Sequence, residues 1–166
     1  SGYIVVDNGI IEEIKEGEAS NSLKAQASRI VDARGQLILP GFVDAHTHLV
    51  HGGSRENELA MKLQGASYME IHKIGGIGAT VRDTRKASAC ELYDKAIATL
   101  DHMLLNGVTT LEAKSGYGLD TDTEIKCLEV NKRLDKNHPL DIVSTYMGAH
   151  STPPEFEGNT DGYIDF

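Results

Sequence analysis

Three histidines lie within six positions in the stretch PGFVDAHTHLVHGGSRE, residues 40 to 56. Imidazole is the commonest side-chain metal ligand. Alternate residues of a β-strand point to the same face, so we expect Asp44, His46 and His48 to share one face. Two imidazoles on one face are spaced to bind one ion, and zinc and iron both accept imidazole nitrogen. Ordinary core histidines are the alternative for this pair, and His51, which has the other parity, is expected in a loop.

Four further residues could contact a substrate. Arg55 follows a Gly-Gly-Ser turn, and a guanidinium can donate two parallel hydrogen bonds to a carboxylate, although a solvated surface arginine fits the sequence equally well. Tyr117 lies between two glycines, and His150 ends the run DIVSTYMGAH. A phenol or an imidazole there can exchange hydrogen bonds with a substrate, and ordinary loop residues are the alternative. Tyr68 lies in a helical pattern, where core packing is the usual interpretation.

The segments that would position these residues alternate between strand and helix patterns. Strand-like runs cover 42–50, 108–114 and 141–147, and the polar clusters HTH, KSGYG and GAH mark their ends. Such alternation implies parallel strands joined by right-handed crossovers. Chemistry in these folds sits at the C-terminal ends of the strands, which is where the polar clusters lie.

The intervening segments have helical patterns and recognisable ends. We expect helices over 57–74 with a break near Gly65, over about 89–105, and from Thr121 to about Lys136. Ser88 with Glu91, and Thr121 with Glu124, have the spacing of capping boxes. The first 39 residues are expected to be mostly β, with one hairpin around Asn8-Gly9 and a second strand pair around Arg34-Gly35.

Composition excludes some classes of function. The formal net charge is -9, which argues against a nucleic-acid surface. No run approaches the ~18 apolar residues of a membrane span, and no signal peptide is visible. Cys90 and Cys127 form no CxxC pair, and two scattered thiols fit a reducing cytoplasm.

Longer strings carry a resemblance to a known family. PGFVDAHTHL resembles the first barrel strand of the amidohydrolase superfamily, which comprises metal-dependent hydrolases on a (β/α)8 barrel. The strings HLVHGGSRENE, LQGASYMEI, GGIGATVRDTR, EAKSGYGLDTDTE and STYMGAHSTPPEF together resemble the imidazolonepropionases within that superfamily. The resemblance implies an α/β fold, in which residues 40–166 form the first three β/α units of a TIM-type barrel. Residues 1–39 would form part of a small β-sandwich domain.

The resemblance also implies an activity and roles for single residues. The reaction is the hydrolytic ring opening of 4-imidazolone-5-propanoate to N-formimidoyl-L-glutamate in histidine degradation. His46 and His48 match two ligands of a single zinc or iron ion, and Arg55 matches the residue that binds the propanoate carboxylate. His51 departs from the family pattern and inherits no role. Three further positions match substrate contacts: Tyr68, Tyr117 and His150.

A barrel of this kind needs about 250 residues, so the chain is expected to be a fragment with three of the eight strands. The family's remaining metal ligands, a histidine and an aspartate, and its acidic proton-transfer residue are expected beyond this chain. No catalytic residue is therefore assigned, and the fragment alone is expected to be inactive. Lys114 lies on the second strand, whereas some amidohydrolases carry a metal-bridging lysine on the fourth, so Lys114 is not assigned to metal.

Two alternatives differ in function class. Another amidohydrolase, such as a deaminase or a cyclic-imide hydrolase, would keep HTH without the KSGYG and MGAHSTPPE strings. A non-catalytic relative would lack the later histidine and aspartate. For the full-length protein the family suggests a small-molecule substrate, a homodimer and a cytoplasmic location.

Overall fold

The computed structural model describes residues 1–67, 69–71 and 75–166. The chain divides into two compact units, residues 1–40 and 41–166. Their assignment to a β-sandwich domain and to a barrel stays a prediction. Within the described ranges, every helix is too short or too polar to cross a membrane.

The first unit begins with a β-hairpin. Strands β1 (Gly2–Asp7) and β2 (Ile10–Glu16) pair antiparallel around the two residues Asn8 and Gly9. Their φ angles are 49° and 80°, and a two-residue hairpin turn with both central residues at positive φ matches the twist of the strands. The predicted first hairpin is therefore confirmed.

The second strand pair expected in this unit is wrong. Residues 21–26 form a short helix, α1 (Asn21–Gln26), and residues 29–39 contain the turn at Arg34-Gly35 but no strand. Apolar side chains of this segment, such as Val31 and Leu37, are exposed. Branched apolar residues favour strands only where a ladder partner and a packing surface are present, and the described residues of this unit offer the segment neither.

A parallel sheet organises the second unit. Strands β3 (Phe42–Thr47), β4 (Val108–Lys114) and β5 (Asp141–Thr145) lie in the order β3-β4-β5, and both neighbouring pairs are parallel. The alternating pattern of the sequence is therefore confirmed. β4 has the predicted bounds, whereas β3 and β5 end a few residues earlier than expected because the chain turns into loops at the polar clusters.

Helices join and cover these strands, and their ends follow local sequence signals. Gly65, at φ 91°, follows the helix Glu56–Leu63 and lies where the break was predicted. Ser88 and Glu91 form the predicted capping box, whereas the predicted box at Thr121 is wrong, because Asp120 accepts the backbone hydrogen bond of Thr123 instead. The helical segments of this unit are α2 (Glu56–Leu63), α3 (Gly76–Lys86), α4 (Ala89–Leu105), α5 (Thr121–Asn137), a 3-10 turn (Pro154–Phe156) and α6 (Thr160–Asp165).

The core lies between the sheet and helices α4 and α5. Leu100 and Leu134 of the helices and Leu111 of β4 are fully buried in one cluster. Each fully buried leucine contributes about 1.5–3 kcal/mol relative to an exposed one. On the opposite face of the sheet, Val43 and Val143 are exposed. The packed face fixes the strands, and their C-terminal ends carry the polar residues described next.

Candidate active site

Four of the predicted site residues come together at the ends of the three parallel strands. The ring of His48 lies at the centre, 4.4 Å from the ring of His150, 4.7 Å from that of Tyr117 and 6.0 Å from that of His46, measured between centroids. Tyr117 and His150 are themselves 5.3 Å apart. Residues separated by up to about one hundred positions thus form one imidazole–phenol cluster, named here the His48 cluster.

Strand β3 reaches the cluster through an irregularity. Asp44 pairs with Leu111 and Thr47 with Ala113, so three residues of β3 advance opposite two of β4. A bulge of this kind re-aims side chains and is common next to active sites. Strict alternation from Asp44 to His46, the basis of the parity argument, therefore does not hold through this segment. The carboxylate of Asp44 accepts a hydrogen bond from the backbone N–H of His46 at 3.3 Å.

The imidazole of His48 has properties that suit a nitrogen ligand of a metal ion. Its Nδ1 atom is buried and has no hydrogen-bond partner. Burial, with further contributions from His150 and His46, lowers the pKa of His48 to about 4. The ring is therefore neutral near pH 7, which is the form that ligates metals. A buried polar atom without a hydrogen-bond partner costs free energy. The unpartnered Nδ1 atom of His48 therefore supports a site that binds an additional group.

His51 lies in the loop after β3, as its parity suggested, yet its ring reaches the edge of the His48 cluster. The ring is 6.0 Å from that of Tyr117, and its Nδ1 atom lies 2.9 Å from the carbonyl oxygen of His48. Burial and the nearby charge of Lys95 lower the pKa of His51. Lys95 also donates to the carbonyl oxygens of His51 and Gly53, which fixes this loop to helix α4.

The loop after β4, residues 115–119, carries Tyr117 and contacts His150. Ser115 ties the ends of β4 and β5 together, because its N–H donates to Thr145 and its hydroxyl accepts from the N–H of Met147, both at 2.9 Å. Gly116 has a φ of 114°, and a Cβ atom there would lie 2.7 Å from Cβ of His150. Only glycine allows this close approach.

Glu124 is a buried residue near the site whose role the T-x-x-E spacing does not predict. Its carboxylate accepts the backbone N–H groups of Gly116 at 2.9 Å, Gly118 at 2.7 Å and Leu119 at 2.9 Å. The T-x-x-E spacing suggested a capping box with Thr121, whereas the side chain turns to the preceding loop. The signal that could have found this role is a pair of glycines six and eight positions before an acidic residue of the first helical turns.

Arg55 lies in a separate pocket. Its guanidinium donates to both carboxylate oxygens of Glu58, at 2.9 and 2.6 Å, and Glu58 also accepts from the N–H of Gly76 at 2.6 Å. Arg55 and Glu58 line a cavity of about 540 Å³ with Leu59 and Ile77 among its apolar walls. The predicted contact at Tyr68 falls outside the described residues.

Lys114, at the end of β4, forms an ion pair. Its ammonium lies 2.7 Å from Glu112, whose carboxylate also accepts from the hydroxyl of Thr145 at 2.8 Å. The hydrogen bond from Lys114 is the main cause that lowers the pKa of Glu112. That Lys114 takes no part in metal binding stays a prediction.

The donor set of the described residues is partial. His46 and His48 offer two neighbouring imidazoles, whose softness suits zinc or iron. Among the described residues, no group of three or more histidine, cysteine, aspartate or glutamate side chains is arranged to hold a metal ion. Zinc and non-haem iron sites use at least three protein ligands, so the two imidazoles fit such an ion as part of a larger set.

Comparisons with known proteins agree with the geometry. A family model described as "Amidohydrolase family" matches residues 29–124. A protein of Treponema denticola named imidazolonepropionase is 65% identical over 167 residues, covering 100% of this chain and 40% of its own length. Proteins of the same name from Fusobacterium nucleatum and Streptococcus sanguinis are each 51% identical over 165 residues, covering 99% of this chain and 40% and 39% of their own lengths. The chain thus spans about 40% of the length of these curated relatives. With a family model that covers more than half of its residues and histidines placed at the ends of parallel strands, the chain belongs to the amidohydrolase family.

Proposed function

We propose that this chain is part of a metal-dependent hydrolase that opens the ring of 4-imidazolone-5-propanoate to give N-formimidoyl-L-glutamate, a step of histidine degradation. The observation that carries the proposal is the His48 cluster, with its neutral ring and unpartnered nitrogen. Relatives at 50–65% identity over almost the whole chain are named imidazolonepropionase. The proposal concerns the whole protein, since the chain spans about 40% of those relatives.

Each residue of the cluster has a role in this chemistry. His46 and His48 would hold one zinc or iron ion, with the further ligands supplied by the part of the relatives' length that this chain does not span. The ion, when bound, would lower the pKa of a water molecule to ~7 and polarise the ring carbonyl. Tyr117 and His150 face the same space: the phenol can donate a hydrogen bond to the oxyanion that forms when the carbonyl is attacked, and the imidazole can act as a base.

Arg55 would bind the propanoate carboxylate of the substrate. It is already aligned for two parallel hydrogen bonds, because it holds the carboxylate of Glu58 in that geometry. A substrate carboxylate would share or replace this contact. Holding the remote end of a substrate fixes the orientation of its reacting end. Less motional entropy is then lost on reaching the transition state, and the reaction is faster. Tyr68 is proposed as a further substrate contact on the family pattern alone.

The proposal includes the complete fold. Strands β3, β4 and β5 with their helices would form the first three β/α units of a (β/α)8 barrel. The compact unit at the start of the chain would belong to a small β-sandwich domain. The exposed face of the sheet, with Val43 and Val143, would then become the barrel interior. A homodimer and a cytoplasmic location accompany this proposal.

The experiment uses the full-length protein that contains this chain. We expect it to hydrolyse 4-imidazolone-5-propanoate, to lose activity on treatment with a chelator, and to regain it with zinc or iron. Arg55→Gln should raise KM for this substrate, whereas Arg82→Gln, at an exposed position of helix α3, should not. The 166-residue chain alone should be inactive. Preference for a cyclic imide or an amino-purine substrate would contradict the proposal.

A further inference from the structure

We propose that Glu124 is a positioning residue of the site, which fixes the loop 115–119 and through it sets the orientation and tautomer of His150. The side chain is 3% exposed and accepts three backbone hydrogen bonds from this loop. Its consequence for catalysis rests on the proposed function, whereas its structural consequence does not. The role goes beyond the substrate and metal contacts discussed above, because Glu124 would act only through other residues.

The three hydrogen bonds require a carboxylate. One oxygen of Glu124 accepts from Gly118 and Leu119, and the other accepts from Gly116, so both oxygens act as acceptors around the residue that carries the phenol. A glutamine could accept with one atom only, and its NH2 group would face a backbone N–H. An aspartate is one methylene shorter. A buried N–H left without an acceptor costs about 1–3 kcal/mol, so the loop would rearrange to recover its partners.

The peptide groups of Gly116 connect Glu124 to His150. The N–H of Gly116 donates to Glu124, and its carbonyl oxygen lies 3.0 Å from Nδ1 of His150. A carbonyl oxygen can only accept, so Nδ1 must carry the hydrogen. In the neutral ring, Nε2 then has a free lone pair. A shift of the Gly116 backbone would remove this acceptor and release both the ring orientation and its tautomer.

The opposite side of the loop is held by Arg85 of helix α3. Its guanidinium donates to the carbonyl oxygens of Gly118 at 2.7 Å and Leu119 at 3.3 Å, and it pairs with Asp120 at 2.9 Å. Three N–H groups of the loop therefore face an anion, and two of its carbonyl groups face a cation. Loop segments of functional sites are usually adaptable, and this double restraint is what a site with a fixed phenol and imidazole needs.

The test compares Glu124→Gln with Glu129→Gln in the full-length protein. Glu129 lies on the exposed face of the same helix, so the two variants share the change in charge and the helix. The primary measurement is the pair of imidazole ¹⁵N shifts of His150 at alkaline pH, where the ring is neutral, assigned with a His150→Asn spectrum. Melting temperature reports the fold, and kcat and KM for imidazolonepropanoate report the catalytic consequence.

We expect the wild-type protein and Glu129→Gln to show His150 protonated at Nδ1, and Glu124→Gln to show the shifts of mixed tautomers. Loss of a group that orients a metal-ligating histidine typically costs about 10–100-fold in activity, and we expect a fall of comparable size in kcat with a smaller change in KM. Unchanged His150 shifts in Glu124→Gln would overturn the proposal, even if the melting temperature falls.

Two further outcomes decide the remaining cases. If Glu124→Gln does not fold, the wild-type spectrum is decisive: protonation of His150 at Nε2, or fast hydrogen exchange at Gly116, Gly118 and Leu119, would overturn the proposal, and the opposite results would support it. If the wild-type protein lacks imidazolonepropionase activity, the proposed function fails, and the ¹⁵N comparison still decides whether Glu124 positions His150.

Discussion

The imidazole rings of His48 and His150 stack with their centroids 4.4 Å apart and their planes 14° from parallel. The two residues follow strands β3 and β5, which do not pair with each other because β4 lies between them. Tyr117, at the end of β4, contacts both rings. The contacts among the three rings therefore bring the ends of all three strands around one space.

Substitution of Gly116 by alanine should disturb the His48 cluster. The new Cβ atom would lie 2.7 Å from Cβ of His150 and 2.8 Å from the carbonyl oxygen of Met147. Gly158→Ala is the matched control, because Gly158 also has positive φ, at 77°, but a Cβ atom there meets nothing within 4 Å. We expect Gly116→Ala to lose about 1–3 kcal/mol more than the control in denaturant unfolding. Equal losses would show that backbone strain, and not the contact with His150, explains the glycine.

Replacement of either histidine of the proposed metal pair should reduce bound metal. His46→Asn or His48→Asn in the full-length protein removes one imidazole donor, and we expect the metal content, measured by mass spectrometry of digested protein, to fall from about one ion per chain towards none. His102→Asn is the control, since His102 is exposed on helix α4. Full metal content in both cluster variants would contradict the assignment.

The two cysteines should differ sharply in reactivity. Burial raises the pKa of the Cys127 thiol to about 12, whereas Cys90 is exposed. The thiolate is the reactive form, so burial and low thiolate content both protect Cys127. A disulfide reagent at neutral pH should label one thiol in the native chain and two in denaturant. Cys90→Ser should abolish native labelling, and rapid labelling of that variant would contradict the buried position of Cys127.

The capping box of helix α4 should make part of the stability acid-sensitive. Ser88 donates to Glu91 from its N–H and its hydroxyl, both at 2.8 Å, and these hydrogen bonds lower the pKa of Glu91 from its ordinary value of 4.5. The stability that Glu91 contributes is thus present above pH 4.5 and is lost as the pH falls through the lowered pKa of Glu91. Glu91→Gln should be less stable than wild type near pH 7, and the difference should shrink in acid.

Glu129→Gln serves as the control for this titration, because it removes a carboxylate from an exposed helix position outside any cap. A stability difference between Glu91→Gln and wild type that does not change with pH would contradict the explanation. Thermal unfolding followed by circular dichroism at several pH values provides the measurement.

Local signals predicted much of the second unit. Helix α4 has the expected bounds because a capping box begins it and Asn106-Gly107 ends it, with Gly107 at φ 86°. The bounds of strand β4, Val108–Lys114, likewise follow from its own residues. The grouping of His46 and His48 with Tyr117 follows from the rule that parallel strands end at one edge, which needs only the order of the elements.

Long-range contacts explain what the sequence did not reveal. The bulge before Thr47 depends on the register with β4, and the role of Glu124 depends on how the loop of Gly116 folds back on helix α5. The bulge is not encoded by neighbouring residues, and the role of Glu124 shows only when residues 116–124 are considered together. Residues 29–39 have strand propensity but form no strand for the same reason, because the described residues provide no pairing partner.

The spacing of strand partners has a consequence for the order of folding. Glu112 of β4 contacts Thr145 of β5 across 33 residues of chain, and Thr47 of β3 across 65. Closing a loop twice as long costs about 0.6 kcal/mol more in chain entropy, and long-range contacts form more slowly. The β4–α5–β5 unit should therefore assemble first, and amide protection in pulse-labelled refolding should reach β3 last. The strand that carries His46 and leads directly to His48 would then be the last to join, so an ion present during refolding would meet its two imidazoles only after the neighbouring strands have formed their surface.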